Sequence, residues 1–289
     1  MPPQTTLGRV VSLRGQSLHH GGESTTRLHP AAPDTGIVFR HSRLPGRVPA
    51  HVSHVVQTTL ATTIGNGQWS VATVEHLLAA LLGVGLDNAE IEVDSPEVPA
   101  LDGSAAGWVE AIEDAGLVEL SAARRTLVLR SPVEVRQGDR VARLLPSEEL
   151  ELSAQIDFAH RSVGRQELTV RLEPGAFSRE LAWARTFGFM AEVDQMRSMG
   201  LAQGGGLHNA VVFGADGPLN PGGLRAPDEL VRHKLLDMVG DLALVGMPVR
   251  ARMEAERPGH ALTVALVARL MSQPQAWVVE AEATPAAAR

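Results

Sequence analysis

The hydrophobic pattern changes period several times along the chain. Residues 8–12, 25–29, 36–40 and 52–62 read as short strands and turns punctuated by Gly and Pro. The apolar run from Thr73 to Gly83 predicts a helix with Thr73 as its N-cap and Gly83 as its stop. A strand at 89–93, a Pro-rich loop and a helix over 104–115 follow. Small residues and the pair Arg124-Arg125 mark a boundary around 121–126. Strands then resume at 126–129, 133–136, 140–145, 151–157 and 167–172. Two helices are predicted next, at 175–186 and 228–245, with a glycine-rich insertion at 201–210 between them. Strands followed by helices, twice over, predict an α+β protein of two similar domains, 1–122 and 126–289, each a β-sheet layered with helices.

The helix at 228–245 has two faces. Val231, Leu235, Met238, Leu242 and Val245 form an apolar stripe that packs on a sheet. Glu229, His233, Asp237 and Asp241 recur every four residues on another face, flanked by Leu236 and Leu244, so this stripe is expected to line a pocket. Between them stands Lys234, the only lysine among 26 basic residues. A compact, movable point charge suits a phosphate or another polar group better than a planar guanidinium does.

Composition narrows the chemistry. There is no cysteine, so a metal site must use His, Asp or Glu, and a cytoplasmic location is expected. A net charge of −7 excludes a nucleic-acid binder with a basic face but allows one anionic ligand near Arg225, Arg232 and Lys234. No segment approaches the roughly 18 apolar residues of a membrane span.

His233 and Asp237, at i and i+4, can grip one ion or form an ordinary helix-surface pair, and spacing alone leaves both readings open. A catalytic site needs a third ligand. His76, in the first turn of an otherwise apolar helix, is the candidate, and Glu75 beside it diverges by about a quarter turn, as a base for water would. A helix N-terminus also favours a carboxylate, which accounts for Glu75 and leaves His76 unexplained. His260, at the start of another apolar segment, is either a cap or core residue or a general acid paired with a carboxylate base.

Six ordered motifs carry a resemblance. They are Gly15-x-x-Leu18-His19-x-Gly21, Thr73-Val74-Glu75-His76-Leu77, Asp102-Gly103-Ser104-Ala105, Ala184-Arg185-Thr186-Phe187-Gly188-Phe189, His233-Lys234-Leu235-Leu236-Asp237 with Gly240-Asp241, and Gly259-His260-Ala261-Leu262. From about residue 7 to residue 280 the chain resembles the UDP-3-O-acyl-N-acetylglucosamine deacetylases, the zinc amidases of lipid A synthesis. The resemblance implies two α+β domains with the active site at their interface and one Zn2+ per chain, with Fe2+ as the alternative, held by His76, His233 and Asp237. It implies Glu75 as general base, Thr186 as oxyanion donor, and His260, kept protonated by Asp241, as general acid. Lys234 would meet the substrate's polar or phosphate groups, Phe187 would pack on the sugar and His19 would line the site. The implied reaction removes the N-acetyl group of UDP-3-O-[(3R)-3-hydroxyacyl]-N-acetylglucosamine, giving the free amine and acetate. The protein is expected to act as a monomer with at most peripheral membrane contact through the acyl chain. The alternatives are a zinc amidase for another acylated substrate and a non-catalytic UDP-sugar binder; the presence of both Glu75 and His260 counts against the latter. The acyl passage is expected in the insertion at about 190–213, with Leu201 and Val211 as wall candidates. Here Gly204-Gly205-Gly206 predicts a looser passage, with His208 as a surface residue or, alternatively, a modified contact.

Overall fold

The computed structural model describes residues 2–281; residue 1 and residues 282–289, most of the alanine-rich tail, lie outside the described residues. Six helices occur among the described residues: α1 (Glu75–Val84), α2 (Ala106–Ala115), α3 (Ala176–Glu180), α4 (Met190–Ser198), α5 (Glu229–Leu242) and α6 (His260–Met271).

Two five-stranded sheets repeat one topology. The first runs Val11–Gln16, Glu23–Pro30, Ala89–Val93, Ile37–His41, Arg47–Pro49 across the sheet. The second runs Val133–Gln137, Arg140–Leu145, Arg252–Glu256, Glu151–Phe158, Gly164–Arg171. In both, successive neighbours pair antiparallel, antiparallel, parallel and antiparallel. In chain order each half is four strands, a helix, the central strand and a second helix, so α1 corresponds to α5 and α2 to α6. Extra elements enter at the same point in each half, between the fourth strand and the first helix.

Each sheet buries one face, as alternation in Glu23–Pro30 and Glu151–Phe158 requires. The outer faces carry ion pairs such as Arg40–Glu92 and Arg252–Glu151. On the inner side α2 packs on Val11–Gln16, α5 and α6 pack on the second sheet, and α1 lies against α2 and α5. Residues 75–81 of α1 are therefore buried all round, and in α5 only Arg232 and Lys234 escape burial. Each fully buried leucine contributes about 2 kcal/mol. The close approach of α1 and α5 depends on Gly240, where a Cβ would stand 2.1 Å from the Glu75 carbonyl oxygen.

Several expectations need correcting. Thr73 does not cap α1: its φ is 59°, its hydroxyl bonds Glu97, and the helix starts after Val74 without a side-chain cap. Gly83 does not stop the helix. It leaves room for Phe177, whose Cγ would lie 2.2 Å from a Cβ there, and left-handed Gly85 (φ 78°) ends the helix with Leu86 N donating to Leu81 O. The segment 52–62 forms a 3-10 turn and the short strand Val55–Gln57. The helix expected at 175–186 stops at Glu180, because 182–186 is tied across the molecule by Ala105 N to Ala182 O and Thr186 N to Gly103 O. The boundary expectation at 121–126 is not among these: strands flank Arg124 there, with Leu117–Ala123 pairing Pro3–Leu7 and Arg125–Leu129 pairing Trp277–Ala281.

Candidate metal centre

The polar stripe of α5 meets the first turn of α1. Glu229, His233, Asp237 and Asp241 are all buried, as are Glu75 and His76. One ligand atom each from His76, His233 and Asp237 lies within 4.8 Å of the others. Asp237 Oδ1 stands 3.5 Å from His76 Nε2 and 3.3 Å from His233 Nε2, longer than a good hydrogen bond. This oxygen is buried without a hydrogen-bond partner. His233 Nδ1 donates to Ala184 O at 3.1 Å, which turns the Nε2 lone pair toward Asp237. Burial pushes the His233 pKa down to about 3, so its imidazole is neutral. Burial opposes ionisation of Asp237 as well, yet the Lys234 ammonium beside it helps hold its carboxyl well below the usual range. Two imidazoles converging on an unsatisfied carboxylate oxygen form a donor set that fits a divalent cation of the zinc type.

A second group adjoins it. Glu75 Oε2 accepts from Thr62 N at 3.0 Å, and Oε1 faces His260 Nε2 at 3.6 Å. His260 opens α6, where the helix dipole disfavours a cation. Its Nδ1 lies 2.9 Å from Asp241 Oδ2, and Asp241 also accepts from the hydroxyls of Thr62 (2.6 Å) and Thr263. Burial lowers the His260 pKa, but Asp241 and Glu75 outweigh it and raise the value to about 10. Burial also pushes the Glu75 pKa up, against the pull of His260 and His76.

The remaining candidates surround these groups. Thr186 is held by N–H donation to Gly103 O at 2.8 Å and by Val211 N donating to its carbonyl at 2.7 Å. The Phe187 ring stacks edge-on to His233 at 6.2 Å. Lys234 Nζ lies 2.6 Å from Asp237 Oδ2 and 5.5 Å from the Phe187 ring centre, so its ammonium lies against the Asp237 carboxylate. His19 is buried, which lowers its pKa, and its Nδ1 accepts from Ala202 N at 3.3 Å.

In the insertion, Val211 is buried, Leu201 half-buried and His208 exposed. The triple glycine does not loosen it. A Cβ on Gly204 would stand 2.1 Å from Ser17 O, and Asn209 fixes the turn through Gly206 N (2.9 Å) and Gly204 O (3.0 Å). Close docking on the 17–22 loop is what requires glycine at 204.

The sequence reading missed three buried residues, Glu97, Thr62 and Thr263, and left the partner of Glu229 unassigned. Glu97, in the Pro-rich loop, accepts from His19 N and His20 N, from the Thr73 hydroxyl at 2.7 Å and from His20 Nδ1. Burial opposes its ionisation, but these hydrogen bonds prevail and lower its pKa. Thr62 and Thr263 hold Asp241. Glu229 binds Arg185 through Nε (2.8 Å), Nη2 (3.0 Å) and the backbone N (3.1 Å), fixing the segment between Ala184 and Thr186. A charge inside an apolar loop, Pro96-Glu97-Val98-Pro99, was the available signal for Glu97. A cavity of about 500 Å³ at the C-terminal end of α1, lined by Leu78, Leu82, Phe177 and Met247, holds none of these groups.

The chain is similar to known proteins over nearly its whole length. It is 47% identical over 273 residues to the UDP-3-O-acyl-N-acetylglucosamine deacetylase of Anaeromyxobacter dehalogenans, covering 94% of this chain and 89% of that one. The protein of the same name from Myxococcus xanthus is 46% identical over 278 residues, 96% of this chain and 88% of its own. That of Citrifermentans bemidjiense is 47% identical over 286 residues, 98% and 93%. The sequence profile of a single family, UDP-3-O-acyl N-acetylglycosamine deacetylase, matches residues 4–272, and the chain belongs to that family.

Proposed function

We propose that this protein hydrolyses the N-acetyl group of UDP-3-O-[(3R)-3-hydroxyacyl]-N-acetylglucosamine, releasing acetate and the free amine, with one Zn2+ held by His76, His233 and Asp237. The observation that carries this reading is the buried, unpartnered Asp237 Oδ1 facing two imidazole Nε2 atoms beside the Glu75–His260 pair. His76, His233 and Asp237 would hold the ion, and the chemistry it would supply when bound is Lewis acidity toward the acetamide carbonyl and toward water.

Glu75 takes the proton that the attacking water gives up. Burial raises its affinity for that proton, and the Thr62 amide holds its second oxygen in place. The Thr186 hydroxyl donates to the oxygen that gains charge as the carbonyl becomes tetrahedral. His260, protonated over Asp241, adds positive charge and then gives its Nε2 proton to the departing amine. At 3.6 Å from His260, the newly protonated Glu75 returns that proton once acetate has left, restoring both groups. Phe187 offers a flat apolar surface to the sugar, His19 closes the wall, and Lys234 supplies a cation for the substrate's polar groups while steadying Asp237.

The test is zinc-dependent release of free amine by the wild type and by Glu75→Gln. The variant should keep its zinc and lose about 10²- to 10⁴-fold in turnover. A variant at the wild-type rate would place the base elsewhere. A zinc-loaded wild type that releases no amine would sink the proposed reaction.

A further inference from the structure

Glu97 is a buried carboxylate that the mechanism above leaves unused. It sits where a strained turn at Thr73 meets the loop that carries His19 and His20. Thr73, a β-branched residue at φ 59°, turns the chain into α1 two residues before Glu75 and three before His76. Such a conformation persists only when its surroundings enforce it. The enforcing contact is the Thr73 hydroxyl donating to Glu97 Oε1 at 2.7 Å. From the other side Glu97 accepts His19 N at 3.0 Å and His20 N at 2.8 Å, holding the 17–22 loop. That loop seats the insertion: His19 Nδ1 accepts from Ala202 N (φ 53° at Ala202), His19 O from Gln203 N at 3.0 Å and Leu18 O from Gly204 N at 3.1 Å.

We propose that Glu97 is a two-ended positioning residue: through Thr73 it sets the first turn of α1, and through the His19 loop it seats the insertion. This rests on the deacetylase reading for what each end does to the reaction. The Thr73 end governs kcat, because it places Glu75 and His76. The loop end governs KM for the acylated substrate, because it holds the insertion against the site.

The experiment compares the wild type, Glu97→Gln, Thr73→Gly and the double variant at saturating zinc, with a Co2+ titration of each protein without substrate. An amide cannot accept from all four donors, so Glu97→Gln should lower kcat about 10- to 100-fold. It should also raise KM severalfold and weaken Co2+ about tenfold. Glycine adopts positive φ without strain. Adding Thr73→Gly to Glu97→Gln should therefore recover most of the kcat and Co2+ loss while KM stays raised. Wild-type kcat and Co2+ affinity in Glu97→Gln would overturn the proposal, as would single-variant losses that simply multiply in the double. If the wild type binds Co2+ but releases no amine, the reaction is wrong, and the Co2+ arm alone still decides the role of Glu97 at the Thr73 end.

Discussion

Gly240→Ala isolates the contact between the two central helices. The added Cβ would stand 2.1 Å from Glu75 O, against an ordinary carbon–oxygen contact of about 3.5 Å, so α1 and α5 must part by over ~1 Å. The displaced atoms are backbone, which cannot rotate aside. Glu75 and His76 ride on α1, while His233, Asp237 and Asp241 ride on α5, so the His76–His233–Asp237 group and the Glu75–His260 pair would spread together. A misplacement of about 1 Å is worth ~100-fold in rate. That corresponds to about 2.7 kcal/mol of activation free energy. Overpacking adds a stability loss of about 1–3 kcal/mol. The measurements are amine release at saturating zinc, zinc affinity and a thermal melt. Gly83→Ala is the control: it makes a comparable clash with Phe177, roughly 12 Å along α1 from Glu75. It should lower Tm without touching kcat in the folded range. Wild-type turnover in Gly240→Ala, or equal rate losses in both variants, would refute the argument that this helix contact sets the site.

Three further outcomes follow from the buried charges. On the proposed roles, the pH profile of kcat/KM should have an acidic limb lying above the ordinary carboxylate range, where Glu75 loses its proton, and an alkaline limb near 10, where His260 loses its own. The raised His260 pKa also contributes stability that is fully present below pH 6.5 and lost as pH rises through about 10. With no Tyr or Cys and a single Lys in the chain, few other side chains titrate in that window, so His260→Gln should remove both the alkaline limb and the decline in Tm. Persistence of either in the variant would assign it to another group. Glu229→Gln leaves the Arg185 guanidinium, only 12% exposed, without its carboxylate, and should lower unfolding free energy by about 3–5 kcal/mol. A loss under ~1 kcal/mol in urea unfolding would contradict that pairing.

The stripe of α5 was legible because helical period alone puts His233, Asp237 and Asp241 in one row. The repeat of strands then helices was legible from composition and punctuation. The partners of the stripe were not, since Thr62 to Asp241 and Glu97 to His19 close over long separations that no local pattern records. The helix start at Glu75 was misjudged because a Thr before an apolar run is an ordinary cap, whereas Thr73 is held left-handed by a remote carboxylate. The glycines at 204–206 were misjudged for a related reason: glycine signals freedom locally, and here Gly204 serves the close approach of a second segment. The insertion's helix α4 and the helix after His260 also escaped local reading.

The repeated topology of the two sheets constrains how such a centre can arise. A pair of identical chains related by a two-fold axis must present the same residue from each copy of a helix. A base on one copy would be mirrored by a base on the other, and a carboxylate ligand by a second carboxylate. Here the corresponding helices differ: α1 brings Glu75 and His76 from its first turn, and α5 brings His233, Asp237 and Asp241 from its later turns. Joining the copies in one chain releases each helix from its twin, so the scaffold keeps its pseudo-symmetry while the chemistry becomes one-sided.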